Sequence, residues 1–413
     1  MKRYILAALL ALLILLPARA QLQFSDSLRI SLLTCSQGPD AYERFGHTAL
    51  RVQDLKRADQ DITFHYGVFS FNAPHFIYRF VKGETDYQLG ALYTSNFIES
   101  YRHRGLSMEE HTLQLDSTQC QEMVQRLLIN YRPENRTYRY SYFFDNCATR
   151  PFNLINLVTD NTILYDSTWS KPVTLREMVQ EKTGRDNWLD FGIALAVAGR
   201  ADQQATYREQ MFLPEYLMNA VLHAQIQTKV GEGLWLMPLV AKDTVLLEME
   251  REVSDAIAAP DPIVPNTAFA VVLLIALIVS GAEYAAKRKA FGNRSRRSWA
   301  LTLAKGFDCI VLLAVGATGI IVWYLNFFSL HPAVDHNINC LWLLPTHVIM
   351  ACLLWVKKLD KVCNIYFGIT FAAIIIYVVM DWLGGQYCPN AFLLILATLL
   401  LRSFMHFGVS HKQ

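Results

Sequence analysis

Residues 135–159 read NRTYRYSYFFDNCATRPFNLINLVT, and they change character in the middle. As far as Asn146, polar and aromatic residues alternate with the period of a strand. From Phe152 the apolar positions follow helical spacing. At the seam stand Asp145 and Asn146, good N-cap residues, then Cys147, then Pro151, which is tolerated only in a first helical turn. A thiol there sits among free backbone N–H groups and the positive end of the helix dipole, with Arg150 adding charge. Cys147 is therefore expected to titrate below a free thiol's value of about 8.5. The plainer alternative, a buried structural cysteine, stays open.

Working outward from this seam, residues 21–265 read as one α+β unit. LRISLLTCS (28–36), GHTALRVQD (46–54), DITFHYGVFSF (61–71), YQLGALY (87–93) and SMEEHTLQL (107–115) have strand character. HFIYRFVKG (75–83) predicts a short helix ended by Gly83, and 117–132 a longer one with Ser117 as N-cap. The stretch 172–225 reads as largely helical. An antiparallel sheet with helices packed on it is the fold class expected.

His47 opens the second strand, just after Gly46, and His65 lies on the next. A lone strand histidine is most simply a satisfied polar residue. Paired with Cys147, His47 becomes a candidate base, with His65, or less plausibly Tyr66, as the group that fixes its tautomer. Spacing alone does not bring the three together.

The N-terminus, MKRYILAALLALLILLPARA, has a basic start, an apolar run and a small-x-small end, the layout of a signal peptide over residues 1–20. An uncleaved anchor is the alternative. The hydrophobic content of 53% is concentrated after Ala268. Five apolar runs follow, at about 268–286, 307–328, 340–356, 365–383 and 391–407, each near the roughly 20 residues that cross a bilayer. Lys/Arg clusters follow the first, third and fifth runs, which puts those loops in the cytoplasm and residues 21–265 on the other side. The region 266–413 thus reads as a membrane domain of five transmembrane helices.

A net charge of +2, with no basic stripe interleaved with aromatics, gives no support for nucleic acid. The eight cysteines show no metal-ligand spacing, so no metal and no cofactor is expected. Cys340 and Cys388 fall at predicted outer membrane edges, where a bridge is conceivable. The outer loop HPAVDHNINC (331–340) is polar beyond the needs of a turn. His331, His336 and Asn337 are candidates there for a lipid headgroup or an incoming amine, against a reading as solvated loop residues. Arg150, Tyr66 and Asn146 are further substrate-binding candidates, and Arg44, Arg51 and Arg79 candidate phosphate contacts.

The segments TCSQGPDAYERFGHTALRV, YGVFSF, RFVKGETDYQL, PENRTYRYSYFFDNCATRP and MFLPEYL resemble the periplasmic domain of a Bacteroidota membrane-protein family, the Lnb-type lipoprotein N-acyltransferases. The order of His before Cys also resembles the circularly permuted papain-like folds of the lecithin:retinol acyltransferase and NlpC-related group. The resemblance implies Cys147 as nucleophile and His47 as base, with His65 less secure as third member because that position is more often Asn. It implies transfer of an acyl chain from a membrane phospholipid, through a Cys thioester, to the α-amine of a diacylated lipoprotein at the inner membrane. Two other readings stay open. One is a papain-like amidase or peptidase acting on cell-envelope peptides. The other is a non-catalytic sensor or scaffold in which Cys147 and His47 are core residues.

Overall fold

The computed structural model describes residues 22–230, 233–290 and 299–407. The expected signal peptide lies outside them. The alternating stretches form strands β1 (Leu28–Cys35), β2 (His47–Asp54), β3 (Asp61–Val68), β4 (Asp86–Tyr93), β5 (Met108–Leu113) and β6 (Thr137–Arg139). With β10 (Val240–Leu247), they make a seven-stranded sheet of order β10-β5-β1-β2-β3-β4-β6, antiparallel throughout. β10 was not among the expected strands. β6 is shorter than the 135–146 alternation predicts, because the chain folds back there and Ser141 and Asp145 bond each other's backbone. A second sheet joins β7 (Ile163–Leu164), β8 (Gln225–Val230) and β9 (Gly233–Pro238).

Period-2 alternation gives the main sheet two apolar faces. Leu32, Leu50, Phe64 and Tyr66 face the helices α3 (Ser117–Tyr131), α4 (Thr149–Val158) and α8 (Pro214–Leu222), meeting Met123, Leu127, Ile155 and Leu217. Leu33, Cys35 and Ala49 face the other way, toward Phe97 and Tyr101 of α2 (Thr94–Arg102). Leu32, Leu50 and Phe64 are fully buried, a burial worth about 1.5–3 kcal/mol for each side chain. α3 starts one residue earlier than Ser117 suggested. Asp116 has the extended backbone of an N-cap and forms a capping box with Gln119, while Ser117 is the first helical residue. The expected helix near Gly83 is α1 (Phe76–Lys82), and Gly83 closes it with φ +80°.

The stretch 172–225 carries α5 (Leu175–Thr183), α6 (Trp188–Ala196), α7 (Tyr207–Gln210) and α8, followed by α9 (Arg251–Ala258). The membrane half consists of α10 (Pro265–Ala290), α11 (Trp299–Phe328), α12 (Thr346–Leu353), α13 (Asp360–Trp382) and α14 (Asn390–Phe407). Among the described residues, four segments are long and apolar enough to span a bilayer: Pro265–Arg288, Trp299–Phe328, Lys357–Trp382 and Asn390–Phe407. The run expected to span at 340–356 is not a fifth helix of that kind. It is a single 3₁₀ turn at Ile338–Leu341, then a break ending in Pro345, then the eight residues of α12. Proline cannot sit inside a helix without removing a hydrogen bond, which accounts for the interruption. Buried Arg402 joins three of the spanning helices by bonding Asp308, Glu283 and Ser280. Each of the eight cysteines is a free thiol, so Cys340 and Cys388 are not bridged.

The two halves are fastened at the outer end of the bundle. Asn337 donates its side-chain amide to Leu195 O at 2.8 Å, and Asn339 donates to Ala194 O at 3.0 Å. Both asparagines are buried and satisfy the otherwise open carbonyls at the end of α6. Phe191 and Leu195 of α6 pack with Trp342 and Phe392 of the membrane half.

Candidate active site

β2 begins at His47 because the chain turns sharply just before it. Gly46 has φ +71°, and a Cβ there would stand 2.6 Å from Cys35 O, so only glycine fits. Across the sheet, α4 begins where Asn146 collects its first N–H groups. Asn146 Oδ1 accepts from Ala148 N and Thr149 N, both at 2.9 Å, while its Nδ2 donates to Tyr142 O and Phe212 O at 2.8 Å. Asn146 is thus a buried positioning residue, and Cys147 sits in the turn that it holds.

The Cys147 thiol is buried and faces the backbone N–H groups of Thr48 and of Cys147 itself. Tyr138, Tyr140 and Tyr142 lie close enough for a charge on the thiol to act on their hydroxyls. Burial pushes the thiol up to about 11, outweighing the two N–H groups that pull it down. The sequence-based expectation was a thiol titrating below its free value. It fails because desolvation is set by tertiary packing and exceeds the helix-terminus effect.

On the other side of β2, His47 Nε2 lies 3.2 Å from His65 Nδ1, and both rings pack near Phe97 of α2. Burial lowers His47 to about 3, with His65 and Arg104 adding to the shift. Burial alone lowers His65 to about 4. Both imidazoles are therefore neutral near pH 7.

The structure brings His47 and His65 into contact and places Cys147 against Thr48, the residue after His47. It does not close a hydrogen bond between Cys147 and either imidazole. Thr48, Leu50 and Val52 alternate toward the α4 side with Cys147, whereas His47 and Ala49 share the α2 side with His65. Pairing of β2 with β3 starts at Ala49–His65, so His47 lies just beyond that ladder, while on its other edge it pairs with Cys35 of β1.

The remaining candidates have definite places. Arg150 binds Asp145 through two hydrogen bonds of 2.6 and 2.8 Å, and its guanidinium lies 3.6 Å from the centre of the Tyr138 ring. Its charge is thus already compensated by Asp145. Tyr66 donates to Asn130 Oδ1 at 2.8 Å and is on the α4 side, so it does not orient His47. His331 Nε2 bonds Phe80 O at 2.6 Å, His336 is exposed beside Asp335, and Asn337 is committed to α6. Arg44 donates to Ile257 O, Arg51 is held by Asp61 and Glu110, and Arg79 is held by Asp86. Among the described residues, Glu109 and His111 of β5 and Asp243 of β10 form a group whose side-chain atoms could hold a metal ion, two to three strands away from β2.

Thr48, Phe97 and the three tyrosines were not singled out from the sequence. The alternation Tyr138, Tyr140, Tyr142 was the available signal, since it puts three rings on one edge of the segment leading to Cys147.

Comparison with known proteins bears on this arrangement. No curated protein and no solved structure matches the chain. A family model described as the Lnb N-terminal periplasmic domain matches residues 19–181, a span that includes His47, His65 and Cys147. A second, described as the Lnb transmembrane domain, matches residues 258–413, which include the four spanning helices and the outer loop. Carrying both domains in that order, the chain belongs to the Lnb family as a membrane protein with a periplasmic domain.

Proposed function

We propose that this chain is a lipoprotein N-acyltransferase of the inner membrane that works through a thioester on Cys147. The observation that carries the reading is the pairing of a helix-start thiol, facing two backbone N–H groups one residue from His47, with a domain fastened to membrane-spanning helices. Both substrates of such a reaction are membrane-bound, and a soluble peptidase has no use for that attachment.

In the first half-reaction His47 takes the Cys147 proton as sulfur attacks an acyl ester carbonyl of a phospholipid. The oxyanion that forms is held by backbone N–H groups at the start of α4, including that of Cys147. Collapse breaks the ester C–O bond, and His47 returns its proton to the departing lysophospholipid alcohol. In the second half-reaction the α-amine of a diacylated lipoprotein attacks the thioester carbonyl. The amine's proton passes to His47, the C–S bond breaks, His47 returns that proton to the leaving Cys147 sulfur, and an amide remains. His65 fixes the His47 tautomer. This reading brings with it a permuted papain-like arrangement of the periplasmic domain. It also has α12, with the turn before it, act as a fifth, partial membrane helix.

Neutral thiol and neutral imidazole suit a general-base mechanism better than a standing ion pair. The His47 ring must turn from Phe97 around the β3-facing edge of β2, which lacks a strand partner at His47, to reach the sulfur. A structural role for Cys147 is the second reading, favoured by its raised pKa and by the open Cys–His contact.

The test is the intact mass of the purified full-length protein after incubation with phospholipid and no acceptor. A hydroxylamine-labile fatty-acyl adduct on the wild type, absent from Cys147→Ser, is the expected result. No adduct, together with equally acylated lipoproteins in cells carrying either version, would establish the structural role instead.

A further inference from the structure

α1 is an unusual helix for a water-facing surface. None of its seven residues is buried, and Ile77, Tyr78 and Phe80 are 77%, 57% and 48% exposed, with Phe71 just before it at 60%. At helical spacing Ile77, Tyr78, Phe80 and Val81 share one side, and Arg79 and Lys82 share the other. The two cations already have partners: Arg79 bonds Asp86 at 2.8 Å, and Lys82 pairs with Glu84 at 2.5 Å. Tyr42, also exposed, adds a ring at the flank, 5.7 Å from Phe71. Contiguous apolar exposure of this sort marks a binding or membrane surface.

The place of α1 in the fold decides between the two. Leu330 N donates to Lys82 O and Ser329 Oγ to Val81 O, both at 2.8 Å, one to two residues beyond the end of the spanning helix α11. His331 bonds Phe80 O, and at Gly83 a Cβ would come within 2.7 Å of His331 N, so α1 lies tightly on that outer end. The hydroxyl of Tyr78 shares a hydrogen bond with that of Tyr324, one turn inside α11. Tyr324 in turn lies 5.7 Å from Phe328, and Phe327, Phe328 and Leu330 are all exposed. The apolar side of α1 thus continues the lipid-exposed surface of a spanning helix. Aromatic side chains at this height form the belt at a bilayer surface. An amphipathic helix held there buries its apolar side about 5–10 Å into the boundary of headgroups and acyl chains.

We propose that α1, flanked by Phe71 and Tyr42, is a lipid-contacting foot that seats the periplasmic domain in the outward surface of the bilayer its own helices span. The partner is the lipid surface rather than a second protein, because the patch is continuous with the exposed rings of α11. The contact is apolar rather than electrostatic, since Arg79 and Lys82 are already held by Asp86 and Glu84. Tyr42 belongs to the turn that leads through Gly46 into His47, which brings the edge of the foot to the candidate site. The foot does not depend on acyl transfer, and a protein that forms no adduct on Cys147 would leave it in place.

The experiment places the photo-cross-linker p-benzoylphenylalanine, one site at a time, at Ile77, Phe71, Leu55 and Ile310 of the full-length protein. Leu55 is exposed just beyond the end of β2 opposite His47, and Ile310 is exposed within α11. Each protein is irradiated in nanodiscs of phosphatidylcholine, and its intact mass is read for an added phospholipid. Ile310 gains one whenever the protein is inserted, which makes it the folding control. A phospholipid adduct at Ile77 and at Phe71, with none at Leu55, is the expected result. The Ile77 adduct should not change with high salt or anionic lipid. Tyr78→Asp combined with Phe80→Asp should remove it while the Ile310 adduct stays. Should that double variant not insert, the contrast between Ile77 and Leu55 decides alone. No adduct at Ile77 and Phe71 in a protein that labels at Ile310, or a cross-link to a second copy in its place, would overturn the proposal. So would an Ile77 adduct that needs anionic lipid, vanishes at high salt, ignores the two aspartates or is matched at Leu55.

Discussion

His47 Nε2 and His65 Nδ1 face each other at 3.2 Å, so one of the two nitrogens must carry the proton and the other must accept it. Their tautomers are therefore linked. When His47 Nε2 donates, Nδ1 of His47 is left free as the base. His65→Asn keeps an acceptor in place and should retain most of the acylation rate. His65→Leu should lose about ten- to a hundred-fold, the usual weight of a group that orients a functional histidine. On the proposed mechanism His47→Ala removes the proton acceptor and should cost about 10²–10⁴-fold. Single-turnover formation of the hydroxylamine-labile adduct measures all three. Equal rates for wild type and His65→Leu would remove His65 from the site.

Acid should destabilise the fold through the same pair. Both imidazoles titrate below their ordinary value when folded, His47 near 3 and His65 near 4, because burial penalises the charged ring. The stabilising contribution is complete above about 6.5, where folded and unfolded rings are both neutral. Below that value the unfolded chain takes up protons that the folded chain does not, and stability falls until the pH passes the folded pKa values. Thermal melts of the full chain in detergent at pH 7 and pH 4.5 should show a larger drop for wild type than for His47→Gln. Parallel drops would mean that the rings are not held neutral.

The thiol should be sluggish toward alkylation at neutral pH. With burial holding Cys147 up to about 11, its thiolate fraction at pH 8 is small. Iodoacetamide labelling of the Cys147 peptide, followed by mass spectrometry, should be at least about ten-fold slower than for a free thiol of pKa about 8.5 and rise steeply above pH 9. Fast labelling at pH 7 would place the thiol in an open, activated state. The linkage has the opposite sign from the histidines: this contribution to stability is present below the unfolded value and is lost as pH rises toward 11.

Asn146→Ala should be costly without touching the reacting atoms. It removes a helix cap worth about 0.5–2 kcal/mol and leaves the carbonyls of Tyr142 and Phe212 without their amide donor, at about 1–3 kcal/mol. A clear fall in melting temperature is expected, with Asn146→Asp intermediate because it keeps the cap and loses the donor. A melting curve unchanged in Asn146→Ala would refute the cap.

The outer loop offers a contrast between neighbours. Asn337→Ala strips α6 of its carbonyl partner and should cost about 1–3 kcal/mol. His336→Ala, at an exposed side chain, should stay within about 0.5 kcal/mol of wild type. Chemical denaturation of the two variants checks the pair, and a reversed order would return the loop to the role of a solvated segment.

The sheet was legible because its strands are short runs rich in β-branched, aromatic and apolar residues bounded by polar turns, and that composition is a local property. The seam at Asn146 was legible for the same reason, since caps and first-turn prolines are local chemistry. What escaped depended on partners distant in sequence. β10 (VAKDTVLL) has its polar residues Lys242, Asp243 and Thr244 in one run, which breaks the alternation, and it is a strand because β5 offers it an edge. α2 is short and carries only Phe97, Ile98 and Tyr101 as apolar residues, yet it covers the two imidazoles. The thiol was misjudged because the helix start could be seen in the sequence, whereas the burial around it could not.

Anchorage of the periplasmic domain at two points, α6 through Asn337 and Asn339 and α1 through Ser329 and Leu330, has a mechanical consequence. A domain pinned twice neither swings nor rises, and Cys147 keeps one altitude above the lipid. The reach must then come from the acceptor. On the proposed acyl transfer, lipoproteins whose first residues after the modified cysteine form a slack tether should bring their amine to the thiol, and those folded close to the membrane should not. Tether length, not surface shape, would then decide which clients are served.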